Sequence, residues 1–143
     1  MSNTITKSRI NKVYRGYKLM HATYHGDTWT TNTYIAEKGQ LEPRVYKDTL
    51  DYRGMADEMP AMDSIIDSVY TPEMVLSVAA SDDNVSVVTT ASYSYNYNTD
   101  YITYLVDKYG QDSLLLEPLG RTSKVFASDD DGAVRAVLMG LRS

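Results

Sequence analysis

Two short stretches of this chain hold side chains of the kind that do chemistry. His21, His25 and Asp27 fall within seven residues, and two imidazoles with a carboxylate are metal ligands by type. His25-Gly26-Asp27 is also turn chemistry between two strand-like stretches. No further ligand can be located from sequence, so incidental turn histidines are the favoured reading and neither a metal nor a cofactor is expected. In the second stretch, Gly110-Gln111-Asp112 sets an amide and a carboxylate on the turn between a helix-like and a strand-like stretch. A carboxylate at the start of a buried strand is partly desolvated, which raises its pKa in the direction that general acid or base work needs. Ordinary loop polarity is the plainer account of Asp112. The common catalytic patterns are missing: no Gly-rich phosphate loop, no paired histidines on a helix and no serine in a nucleophile elbow.

Recognition residues are more conspicuous than catalytic ones. Tyrosine occurs thirteen times against one Phe and one Trp, and its apolar ring with a polar tip suits half-buried sheet faces and protein interfaces. In ASYSYNYNT, residues 91–99, Tyr93, Tyr95 and Tyr97 recur at period two, so an extended chain puts all three rings on one face. That face either packs under a neighbouring helix or forms an exposed adhesive stripe.

Charge is divided along the chain. Residues 1–18 hold Lys7, Arg9, Lys12, Arg15 and Lys18 with no acid, whereas residues 54–107 hold no Lys or Arg and nine carboxylates, Asp82 and Asp83 among them. An acidic surface repels phosphates and steers basic partners, so direct nucleic-acid binding is disfavoured and a protein with a basic surface is the expected partner. Helix starts and turns also favour Asp and Glu locally, which is the competing account of the same residues.

The elements that must position these groups are legible in outline. KVYRGYKLMHATY and TWTTNTYIAE read as a long β-hairpin about His25-Gly26-Asp27. Residues 47–59 and 61–70 read as helices, the first weakened by Gly54 and ended by Pro60. Thr71-Pro72-Glu73 has the form of a helix start, although Val75 and Val78 keep a strand open for residues 74–79. VSVVTT reads as a strand after the turn at residues 81–84. Asn98 or Thr99 caps the clearest helix, with Tyr101, Ile102, Leu105, Val106 and Tyr109 on one face and Gly110 at its end. SLLLEP and TSKVFAS form a second hairpin about Leu119-Gly120, and a last helix is expected through Val134, Val137, Leu138 and Leu141.

The fold class expected is α+β: one domain over residues 11–143, antiparallel hairpins packed with three to four short helices, preceded by a flexible basic arm over residues 1–10. A length of 143 residues suits a single core. Its 43% hydrophobic and 23% charged residues place it among chains that fold. No long apolar run or signal sequence is visible. With no cysteine, a reducing compartment is expected, with the cytoplasm as the default.

Residues 104–132, YLVDKYGQDSLLLEPLGRTSKVFASDDDG, resemble the C-terminal helix-strand-strand section of the small bacteriophage S-adenosylmethionine lyases, enzymes once described as hydrolases and known for defeating restriction. The resemblance covers about a fifth of the chain. In that family a tyrosine and acidic residues near a glutamine lie at the subunit interfaces of a trimer and bind the sulfonium substrate. The resemblance implies that role for Gln111 and Asp112. Glu73, opening TPEMVLSV, resembles an upstream family glutamate, and Tyr52 is a looser match to the tyrosine. The chain departs from the family at its start, where a basic arm and a Tyr-rich hairpin replace a buried apolar strand.

Three functions follow from these residues. The first is a non-catalytic protein-binding or assembly module, for example a phage-type inhibitor of a host protein, using Tyr93, Tyr95, Tyr97, Asp82 and Asp83; homo-oligomerisation is compatible with it. The second is an S-adenosylmethionine lyase in which Glu73, Gln111 and Asp112 orient a substrate that attacks itself. The third is an acidic mimic of nucleic acid, for which nine carboxylates are few.

Overall fold

The computed structural model describes residues 13, 20–24, 26–32, 34–39, 55–56, 72–119, 122–128 and 133–141, with side chains omitted for 20–24 and 55–56. The described residues group into two compact units, one within Ile5–Ser68 and the other within Val69–Ser143. The arm expected over residues 1–10 and the helix expected over 61–70 lie outside the described residues. Among the described residues no helix is long and apolar enough to cross a membrane.

In the first unit, β1 (Met20–Tyr24) and β2 (Asp27–Thr31) form a hairpin about the expected turn, closed where Tyr24 faces Asp27, but Val13, within the expected first arm, is helical. Gly26 takes φ +82° in the two-residue turn, a region that glycine enters without steric cost. The second arm of that hairpin is not one strand. Asn32 breaks it: its side-chain Oδ1 accepts from the N–H groups of Tyr34 and Ile35, an Asx-type turn. The chain therefore folds back as β3 (Ile35–Lys38), paired antiparallel with β2. Asn32 is buried and also donates to the carbonyl of Val13. Inside the helix expected over residues 47–59, Met55–Ala56 instead form a short strand, β4, parallel to β1.

The second unit holds two sheets and α1 (Thr99–Tyr109). Strands β9 (Leu114–Pro118), β10 (Ser123–Ser128) and β11 (Val134–Met139) pair antiparallel in the order β11, β10, β9, and β5 (Glu73–Met74) joins the far side of β9. Strands β6 (Ser77–Ala80), β7 (Val85–Thr89) and β8 (Ser94–Asn98) form the other sheet in that order. Helix α1 lies against strands of both sheets. Its ends follow the sequence: the Asn98 side chain accepts from Tyr101 N–H, and the Gly110 N–H returns to the carbonyl of Val106 at φ +86°. Ile102 and Leu105 are buried beside Leu114, Leu116, Val125 and Leu138, which make up the core.

Two expectations are corrected here. The last helix is β11, because Ala136, Val137 and Leu138 are all buried in a strand; a short apolar run covered on both faces has no periodicity that separates strand from helix. The helix start expected at residues 71–73 gives way to β5, with Glu73 paired to Leu116 and Met74 to Leu115, and the strand kept open for residues 74–79 is found at Ser77–Ala80; Thr71 lies outside the described residues. Mostly antiparallel β-structure with one helix laid out among the described residues therefore replaces the three to four helices expected. The α+β character is kept.

Candidate functional site

Residues 73–76 carry the chain from one sheet of the second unit to the other, and their hydrogen bonds change partner strand at Leu76. Glu73 and Met74 pair with β9; Val75 N–H then reaches the carbonyl of Leu114, and Leu76 N–H reaches that of Thr89 in β7. Two of the residues singled out in the sequence hold this crossing. Glu73 Oε1 accepts from Thr90 Oγ1 at 2.6 Å and from Ser92 N–H at 3.1 Å, while Oε2 accepts from Ser92 Oγ at 2.9 Å. Gln111 Nε2 donates to the carbonyl of Leu76 at 3.0 Å. The turn at residues 90–93 is closed by Thr90 N–H on the carbonyl of Tyr93 and by Tyr93 N–H on Thr90 Oγ1.

These bonds set what Glu73 can do. The hydroxyl of Thr90 and then that of Ser92 hold its carboxyl below the usual value of 4.5, so at neutral pH it is a carboxylate that accepts three hydrogen bonds. It is suited to tying the crossing to the turn and poorly suited to donating a proton. A depressed folded pKa contributes stability that is present above the unfolded value and lost as pH falls through the folded one. Glu73→Gln is therefore expected to lower Tm at pH 7, with the deficit shrinking as pH is taken below 4.5. A deficit that stays constant from neutral to acid pH contradicts this role.

The other sequence candidates are placed as follows. Asp112 is exposed on the short 3-10 turn Gln111–Ser113, so the desolvation expected of it is absent. Only Tyr95 and Tyr97 lie on β8, with Tyr93 in the turn before it, and burial deepens along the three: Tyr93 is exposed, Tyr95 half-buried and Tyr97 wholly buried, its hydroxyl bonded to Ser123. Tyr93 and Tyr95 stack at a tilt, centroids 6.2 Å apart. Tyr97 thus belongs to the core and leaves the exposed stripe. Asp82 and Asp83 are exposed, and Asp82 Oδ1 accepts from the N–H groups of Asn84 and Val85, each at 2.8 Å, closing the β6–β7 turn. In the first unit, Asp27 pairs with Lys38 at 3.2 Å. The His21 side chain and His25 lie outside the described residues. Among the described residues no group of three His, Asp or Glu side chains is placed to hold a metal ion.

Sequence reasoning missed a buried ion pair. Lys124 and Glu117 face one another across β10 and β9, with Nζ and Oε2 3.8 Å apart and both side chains buried. Lys124 Nζ also sits 5.2 Å from the centre of the Phe126 ring. Burial pushes the lysine below its ordinary value of 10.5, against the opposing pull of Glu117. The signal was available: in the hairpin SLLLEP/TSKVFAS, one acid and one base stand symmetrically about the turn in otherwise apolar strands.

Of the six exposed large apolar side chains among the described residues, three lie on the crossing and the turn, and Tyr34, Leu119 and Leu141 lie elsewhere. Met74 and Leu76 are each 57% exposed and Tyr93 is 38% exposed. Glu73 fastens the crossing segment to the turn, and Gln111 and the Leu76–Thr89 bond hold the segment itself. No known family, curated protein or solved structure matches this chain.

Proposed function

We propose that this chain is a protein-binding module whose contact surface is built on residues 73–76 and the turn at 90–93. The observation that carries this reading is the exposure of Met74, Leu76 and Tyr93 on backbone that hydrogen bonds hold in place. Large apolar side chains on a pre-organised segment lose little entropy on contact, which is how a few residues come to dominate an interface. Asp82 and Asp83, exposed beyond the opposite end of β6, add negative charge that favours a basic partner. An inhibitor of a host protein and a component of a larger assembly are both settings in which such a module works.

The test uses the wild-type chain and a Met74→Glu, Leu76→Glu variant as baits in lysate of the cells that express the protein. Both positions are exposed, so the fold is expected to survive the change. A protein retained by wild type and weakened at least about tenfold by the variant supports the reading. Equal retention by both, or by neither, overturns it. Incubation with S-adenosylmethionine is expected to leave the substrate intact; its conversion would move the assignment to the lyase chemistry that Glu73, Gln111 and Asp112 suggested.

A further inference from the structure

We infer that the partner presents an extended, basic stretch of polypeptide that adds to the outer edge of β6 as a fourth strand; this rests on the protein-binding reading above. The ladder shows which groups are open. Thr90 N–H bonds to Tyr93 and Thr99 N–H to Asn84, so the even-numbered residues of the β7 region face β8 and its odd-numbered residues face β6. Ser81 N–H on the carbonyl of Val85 continues that alternation into β6, where Ser77 pairs with Thr89 and Ala79 with Val87. The N–H and C=O groups of Val78 and Ala80 consequently point away from β7, toward the edge of the sheet. The opposite edge is engaged, since Asn96 of β8 accepts from Leu141 N–H.

The side chains of β6 leave its edge open. Ser77, Ala79 and Ala80 are exposed, and the strand contains no Lys, Arg or Pro. Exposed edges are ordinarily blunted by such residues, because an unguarded one is a template for another strand. Small side chains also let a second backbone approach to hydrogen-bond distance, as strand addition requires.

Charge selects among the occupants. Asp82 and Asp83 are exposed at one end of β6, and Glu73, an anion at neutral pH, lies toward the other. No Lys or Arg occurs between residues 54 and 107. A second copy paired antiparallel here would set its own Asp82 and Asp83 toward the end where Glu73 lies, bringing like charges together with no cation among residues 54–107 to offset them. An extended segment with Lys or Arg flanking small or β-branched residues meets opposite charge instead.

The experiment uses a short blocked peptide alternating Lys and Val, with the full chain, and follows amide hydrogen exchange. The expected result is exchange slowed at least about tenfold at Val78 and Ala80. A peptide N-methylated on alternate backbone nitrogens, and one with Glu in place of Lys, are expected to give no protection. Ala80→Pro is expected to weaken binding about tenfold; the Ala80 N–H points outward, so the substitution removes no bond to β7, and an unchanged circular dichroism spectrum checks the fold. No protection by the Lys-Val peptide, or equal protection by its N-methylated form, overturns strand addition. Should the partner captured above depend on Met74 and Leu76 yet ignore Ala80→Pro, the surface stands and strand addition falls. A dimer in sedimentation that Ala80→Pro abolishes would place a second copy on the edge and overturn the basic segment.

Discussion

Replacing Tyr97 by alanine is expected to destabilise the unit within Val69–Ser143 by about 3–5 kcal/mol, the range for removing a large buried ring. The ring is fully buried, and its hydroxyl meets Ser123 Oγ. Ser123 is on β10 and Tyr97 on β8, so one side chain spans from the three-stranded sheet to the sheet that carries the core. Tyr97→Phe keeps the ring and is expected to cost about 1–2 kcal/mol, because the Ser123 hydroxyl loses this partner in the interior. Adding Ser123→Ala is expected to recover part of that loss. Burial raises the Tyr97 pKa above its ordinary value of 10.0. A raised folded pKa gives stability that is complete below the unfolded value and is lost as pH climbs from there through the folded one. Wild type should therefore lose stability above pH 10 more steeply than Tyr97→Phe. Urea unfolding across that range measures both effects; a Tyr97→Ala cost below about 1 kcal/mol would show that the ring packs against little.

The second large effect is expected from separating Lys124 from Glu117. Glu117→Ala should cost about 3–5 kcal/mol, because a lysine buried in the sheet then lacks the carboxylate opposite it. The double change Glu117→Leu, Lys124→Met removes both charges while keeping similar volume, and is expected to cost far less than the single one or to stabilise. The pH dependence has a definite sign. A lysine held below its ordinary value binds its proton more weakly when folded, so its burial costs stability below the folded pKa and the cost is relieved as pH rises toward 10.5. Glu117 pulls that pKa upward, so its removal lowers it further and the Glu117→Ala deficit should be largest near neutral pH. If the single and double variants are equally unstable, the two side chains act independently. A pair of this kind would specify the β9–β10 register more than it stabilises the fold, since slipping either strand by one residue moves one charge to the opposite face.

The two side chains with the largest expected effects differ in how openly the sequence announced them. Tyr97 stood out at once as part of a period-two stripe, yet Tyr93, Tyr95 and Tyr97 look alike in sequence and end exposed, half-buried and buried. Period two tells which side of a strand a residue occupies; it does not tell how far along that side the neighbouring layer reaches. Glu117 and Lys124 were passed over because charged residues in a strand are usually solvent-facing. Glu73 and Gln111 were noticed for chemistry and turn out to fasten the crossing at 73–76, whose exposed Met74 and Leu76 drew no notice as surface. Exposure of an apolar side chain is a property of what fails to cover it, and no local pattern records that.

Local interactions explain what could be read directly. The helix over Thr99–Tyr109, with Asn98 and Gly110 at its ends, the turn at Gly26 and the β9–β10 hairpin all depend on residues within a few positions of one another, so their spacing in the sequence sufficed. Tertiary structure decided the rest. Val134–Met139 became a strand because β10 supplied its ladder, and Glu73–Met74 because β9 supplied theirs. An apolar run can satisfy its backbone either within itself or across to a neighbour, and only the presence of that neighbour settles the choice.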